Sequence, residues 1–124
     1  MKRQVLALFA GFAMHHSIAG VYDSSRPVTL EGVIKEFRFV NPHPFVLIDA
    51  KDQLWKLEMD NLRELVAVGM TKDTFKSGDR IVVSGSPARE KSEQSLYVGR
   101  LDRPSDGFRY EQIGSSPRIN FKPR

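Results

Sequence analysis

Three histidines are the residues of this 124-residue chain whose type and spacing suit a chemical role. His15 and His16 are adjacent near the N-terminus, and His43 stands between Pro42 and Pro44. A ligand set built from nitrogens alone favours copper among the divalent metals, because imidazole and amide nitrogens match its tetragonal preference. The flanking prolines stiffen the backbone that presents the His43 ring. The N-terminal pair gains a further geometry if the chain is cut after Ala13. Met14 then supplies a free amine, two amides deprotonate, and His16 in third position closes a square-planar chelate for Cu(II) or Ni(II). His15 or His16 would meet His43 where the N-terminal segment crosses the first hairpin loop. The same rings also serve as loop caps or solvated surface groups, and the sequence leaves both roles open. Asn41, Pro42, Pro44 and Trp55 complete the surface on which a ligand or protein partner would rest.

Whether His15 and His16 persist depends on how the chain begins. Lys2 and Arg3 precede an unbroken run of apolar and small residues, 5–12 (VLALFAGF), with small-residue sites ending at Ala13 and Ala19. This is the pattern of a secretory signal peptide, and it falls well short of the roughly 20 apolar residues that a bilayer span needs. Residues 1–13 are expected to be removed, and a cut after Ala19, the alternative, would discard both histidines. A periplasmic or secreted bacterial location follows, with no stable membrane span.

Composition removes other chemistries. Without cysteine there is no disulfide, thiolate metal site or thiol nucleophile. The formal charge is +4, from 19 basic and 15 acidic residues. Loss of Lys2 and Arg3 would leave 17 basic residues, an excess of only two. Signs alternate in KDTFKSGDR and AREKSE, which reads as a solvated mixed surface. Phe37, Phe39, Phe45, Trp55 and Tyr97 are the aromatic set that would stack single-stranded bases, but their alternation places most of them inside a barrel. No nucleic-acid partner is expected without a basic face. Ser17 beside His16 is the one Ser–His adjacency, Asp49, Asp52, Glu58 and Asp60 fall at hairpin or surface positions, and the turns SGD and SGSPA lack P-loop spacing. A binding domain rather than an enzyme is the expectation.

The elements that would position these residues are mostly strands. Residues 28–40 (VTLEGVIKEFRFV) carry Val28, Leu30 and Ile34 on one phase and Val33, Phe37 and Phe39 on the other. Such a phase change predicts a bulge or bend near Gly32. Asn41-Pro42-His43-Pro44 interrupts the strand; residues 45–49 (FVLID) resume it. A polar turn leads to 54–59 (LWKLEM), with Trp55, Leu57 and Met59 inward and Lys56 and Glu58 outward. Asn61 and Glu64 open a helix in the manner of a capping box, Leu62, Leu65 and Val66 form its apolar face, and Gly69 stops it. Residues 71–76 are expected to add a helical turn. Strands follow at 80–85, 96–101 and 108–113.

Three strands, a helix and two more strands give the fold class: mainly β, a small OB-like closed or partly open antiparallel barrel of five to six strands, with one helix between strands 3 and 4. The barrel domain is expected over 28–113, an extended N-terminal segment over 14–27, and a loosely ordered basic tail over 114–124.

The combination HHS (residues 15–17), PVTLEGVIKEF (residues 27–37) and NPH (residues 41–43), with KSGD and SGSPA further on, resembles the DUF6152 group of bacterial exported proteins. The resemblance covers roughly residues 15–110. It implies an OB-like barrel cut just ahead of the paired histidines, and no defined activity. Met70 stands where the family pattern carries tryptophan, and the helix entry at residues 60–62 lacks the usual Gly/Ser/Pro-rich run.

Overall fold

The computed structural model describes residues 17–120. The expected leader, His15 and His16 lie outside the described residues. The described residues form seven strands, of which five close into a barrel.

β1 (Val28–Arg38) is long enough to serve two partners. Its first half pairs antiparallel with β4 (Arg80–Pro87), from Val28↔Gly85 to Val33↔Arg80. Its second half pairs antiparallel with β2 (Phe45–Ala50), from Val33↔Asp49 to Arg38↔Phe45. Gly32 sits where these partners diverge. A Cβ there would lie 2.5 Å from the Asp49 carbonyl oxygen, so only glycine lets β2 approach this closely. The bulge itself falls at Lys35 rather than Gly32, because the register slips between Ile34 and Glu36. The slip leaves Lys35 and Glu36 both exposed and lets Ile34 and Phe37 both reach the core.

β3 (Gln53–Glu58) returns antiparallel along β2 through the Lys51–Asp52 turn, where both residues have positive φ. It then meets β5 (Ser95–Arg103) in parallel, Lys56↔Ser95 to Glu58↔Tyr97, and this pairing closes the barrel. Inside lie fully buried Val46, Ile48, Leu57, Ile81, Leu96 and Leu101.

The helix expected after β3 forms as α2 (Leu62–Ala67), following α1 (Ser17–Val21) in chain order. Asn61 Oδ1 accepts the Glu64 backbone N–H at 2.9 Å, and Gly69 ends the turn at φ 103°. Leu65 is fully buried, which contributes about 2 kcal/mol. Val66, expected on the same face, is exposed instead. Met70 is buried in the core.

Three expectations need correction. Residues 71–76 form turns, not a helical extension, because the Thr74 hydroxyl accepts the Thr71 N–H (2.9 Å) and the Thr71 hydroxyl the Asp73 N–H (3.1 Å). Those turns drive Phe75 into the barrel end, edge-on to Phe37 and Phe108. The segment ahead of β1, expected to be extended, is helical over α1. The tail expected beyond residue 113 forms β7 (Ser116–Asn120), paired antiparallel along β6 (Phe108–Ile113) from Ile113↔Ser116 to Arg109↔Asn120. Pro117 is buried and Ile119 packs against the core. Pro117 donates no hydrogen bond, which an edge strand tolerates.

Candidate functional site

The first hairpin loop, between β1 and β2, holds His43 against the end of β3. Asn41–Pro42 is a cis peptide bond. Beyond it the Pro44 carbonyl accepts the Met59 N–H at 3.0 Å, and the Pro42 carbonyl accepts the Leu62 N–H at 3.2 Å. The loop is therefore fixed at both prolines to the strand-to-helix junction that follows β3.

His43 Nδ1 lies 2.6 Å from the Met59 carbonyl oxygen. A carbonyl only accepts, so Nδ1 carries the proton and donates, and Nε2 holds the lone pair of the neutral ring. Glu58 Oε2 lies 3.7 Å from the same Nδ1. Both side chains are mostly covered, at 25% and 18% exposure. The Met59 carbonyl thus orients the ring, and Glu58 stands on its Nδ1 side at ion-pair distance. Val40, Asn41, His43, Phe45, Lys56 and Glu58 surround a cleft of about 320 Å³. Lys56 Nζ rests 4.6 Å over the Phe45 ring.

The N-terminal segment covers the other side of Glu58. Tyr22 donates its hydroxyl to Glu58 Oε1 at 2.8 Å. Its backbone bridges to Ala88 in the loop between β4 and β5. The Arg89 N–H meets the Val21 carbonyl at 2.7 Å, the Asp23 N–H meets the Pro87 carbonyl at 2.8 Å, and Arg89 Nε donates to the Ala19 carbonyl at 3.2 Å. Burial, reinforced by Glu58, raises the Tyr22 pKa well above its ordinary value. Tyr97, at the barrel seam, is raised by burial and by the charges of Asp60 and Glu58. Asp60 is itself covered: Oδ1 accepts the Asn61 N–H at 2.7 Å and Oδ2 accepts Gln112 Nε2 at 2.8 Å.

The residues singled out by sequence meet different fates. Asn41 and Pro42 are exposed beside His43, whereas Pro44 is buried. Trp55 packs partly against the core, and its buried Nε1 has no hydrogen-bond partner among the described residues, so it offers little to a ligand. His15 and His16 lie outside the described residues. Among the described residues no group of three or more His, Cys, Asp or Glu side chains is placed to hold a metal ion.

Sequence reading misses Tyr22 and the pairing of Glu58 with His43, and it groups Tyr97 with the aromatic set rather than with this site. Glu58 does face outward from the barrel, as alternation requires. It is covered because a segment 36 residues earlier folds over it, and no local pattern announces that. The one available signal was a lone tyrosine in an otherwise polar lead-in, VYDSSRP.

Comparison with known proteins fits this geometry at the level of fold. The family model described as "Family of unknown function (DUF6152)" matches residues 5–97. Among solved structures, the ZRD-deleted mutant of TiaS in complex with agmatine superposes with a TM-score of 0.51 at 19% identity, covering 82% of this chain and 25% of that one. A complex of TiaS with tRNA and ATP gives a TM-score of 0.50 at 19% identity, covering 66% of this chain and 19% of that one. The chain therefore spans a quarter or less of these proteins. No curated protein matches the sequence.

Proposed function

This chain belongs to the DUF6152 family, a family of unknown function, and on that premise we propose that it is an exported, non-catalytic binding domain that receives its ligand at His43. The observation that carries this reading is the 2.6 Å hydrogen bond from His43 Nδ1 to the Met59 carbonyl. It fixes the ring and leaves Nε2 as the coordinating nitrogen beside a cleft of about 320 Å³. Metal-binding histidines are characteristically held by such a bond on the opposite nitrogen.

Copper is the metal we favour. His43 supplies one nitrogen, and the others come from His15, His16 and the free amine of a chain cut after Ala13. Export is supported by the basic start and apolar run at residues 2–12. A cut after Ala13 preserves α1, whose Ile18 and Ala19 carbonyls are both engaged. Among the described residues no helix is long and apolar enough to cross a membrane.

Titrating the mature protein with Cu(II) tests the copper reading. His43→Ala and His16→Ala should each weaken binding by about tenfold or more; binding as tight as the parent's in both variants would overturn it. A metal-independent small ligand in the same cleft is the second reading, favoured by the opposite charges of Lys56 and Glu58 on its walls. That binding would persist in the presence of a chelator and map to Asn41, His43 and Lys56.

A further inference from the structure

A second cleft, of about 540 Å³, lies across the Tyr22–Glu58 hydrogen bond from the His43 cleft and shares none of its lining residues. Its size is that of pockets which enclose small organic ligands. Tyr22, Ser24, Ser86, Arg89, Tyr97 and Gln112 line it. The Tyr22 and Tyr97 rings stand 5.8 Å apart with their planes inclined at 39°. Gly99 and Gly114 complete the wall and leave it free of bulky side chains there.

We infer that this cleft is a binding site for a neutral saccharide. The partly exposed Tyr97 ring, backed by the buried Tyr22 ring, offers an apolar face for the C–H face of a sugar ring, and the surrounding Ser24, Ser86 and Arg89 offer hydrogen bonds to hydroxyl groups. The cleft sits beside the loop between β4 and β5, one of the two loops with which OB barrels take oligosaccharides and oligonucleotides. Charge separates those two classes. The one formal charge on the lining is Arg89, whose Nε is already given to the Ala19 carbonyl. Behind the wall stand two carboxylates: Glu58 on the Tyr22 hydroxyl and Asp60 on the Gln112 amide. A phosphate backbone would meet that negative field, whereas a neutral sugar is indifferent to it. Burial and the charges of Asp60 and Glu58 keep the Tyr97 phenol protonated, so the ring presented to the sugar is neutral.

The test is an amide chemical-shift titration of the intact mature protein with three neutral trisaccharides, chitotriose, cellotriose and maltotriose, and with a single-stranded oligothymidylate as the anionic probe. At least one trisaccharide should move the Gly99 and Gly114 amides and the Gln112 side-chain amide, with a dissociation constant in the millimolar range or tighter. Tyr97→Ala should weaken that binding by about tenfold or more, and Tyr97→Phe by less. Gly99→Leu, whose Cβ has only ordinary contacts with Ser84 and Gly85, adds bulk to the wall without disturbing the strand and should also abolish binding. The inference is overturned if none of the three sugars moves these amides, or if the oligothymidylate moves them more strongly than every sugar. Because no lining residue is shared, His43→Ala should leave the sugar titration unchanged whatever it does to copper.

Discussion

Tyr22 and Glu58, 36 residues apart, are joined by a 2.8 Å hydrogen bond from the phenol to a carboxylate oxygen. The bond fastens the segment ahead of β1 to the strand whose pairing with β5 closes the barrel. It also separates the two clefts on this face, since Tyr22 lines one and Glu58 the other.

Tyr22→Phe keeps the ring and deletes the bond. Hydrogen bonds to charged groups contribute about 1.5–3 kcal/mol, and this one is partly exposed, so a loss near the lower end, about 1.5 kcal/mol, is expected in urea unfolding. An unchanged midpoint would show that the N-terminal segment is not held by this contact.

Alkaline titration reads the same region. The chain has three tyrosines, Tyr22, Tyr97 and Tyr110. Burial raises all three above the ordinary value of 10.0, with nearby carboxylates adding to the effect. A raised folded-state pKa means that the folded protein holds its proton more tightly than the unfolded chain. The stability this contributes is complete below pH 10 and is lost as pH rises from 10 toward the folded-state values. The tyrosinate absorbance should therefore stay low through about pH 10 and appear only with unfolding. Ordinary titration of one tyrosine near pH ~10 would show that it is solvated in the native state.

Arg103 is the charged residue most deeply involved in packing. Its guanidinium donates to Asp79 at 2.9 Å, to Asp106 at 3.0 and 2.8 Å, and to the Thr74 carbonyl at 2.6 Å, while stacking over Phe75 and Phe108. Removing one member of a buried ion pair costs about 3–5 kcal/mol because the partner charge is stranded. Arg103→Ala should lose about 3 kcal/mol by chemical denaturation. Arg103→Lys should recover only part of this, since an ammonium cannot reproduce the two-pronged contact with Asp106.

The sequence made some of this legible and hid the rest for definite reasons. Alternation in residues 28–40 and 54–59 is a local property, so β1, β3 and the inward Leu57 and Met59 could be read directly. His43 between two prolines was likewise visible as a fixed ring. The pairing of β3 with β5 joins Glu58 to Tyr97 across 39 residues, and the docking of Tyr22 joins segments still farther apart in character. Neither leaves a periodic trace. The Lys35 bulge was seen as a phase change but assigned to Gly32, because a glycine signals either a bulge or a close approach and here it serves the second. Residues 116–120 read as a tail because a proline and the turn at residues 114–115 mask a five-residue alternation in which Pro117 and Ile119 face inward.

That alternation makes the end of the chain a sharp test. β7 pairs with β6 alone, and its Ile119 packs against the core near Gly69. Truncation after Ile113 would uncover this part of the core and free the outer edge of β6. Burying one large aliphatic side chain contributes about 1.5–3 kcal/mol; Ile119 is only partly buried but Pro117 adds to it, so a loss of about 2 kcal/mol is expected. The freed edge presents unpaired backbone groups that invite pairing between molecules. The truncated chain should therefore unfold at lower urea and show concentration-dependent association by sedimentation. Unchanged stability together with a monomeric truncated chain would mean that β7 is a passive extension and that the barrel is complete at residue 113.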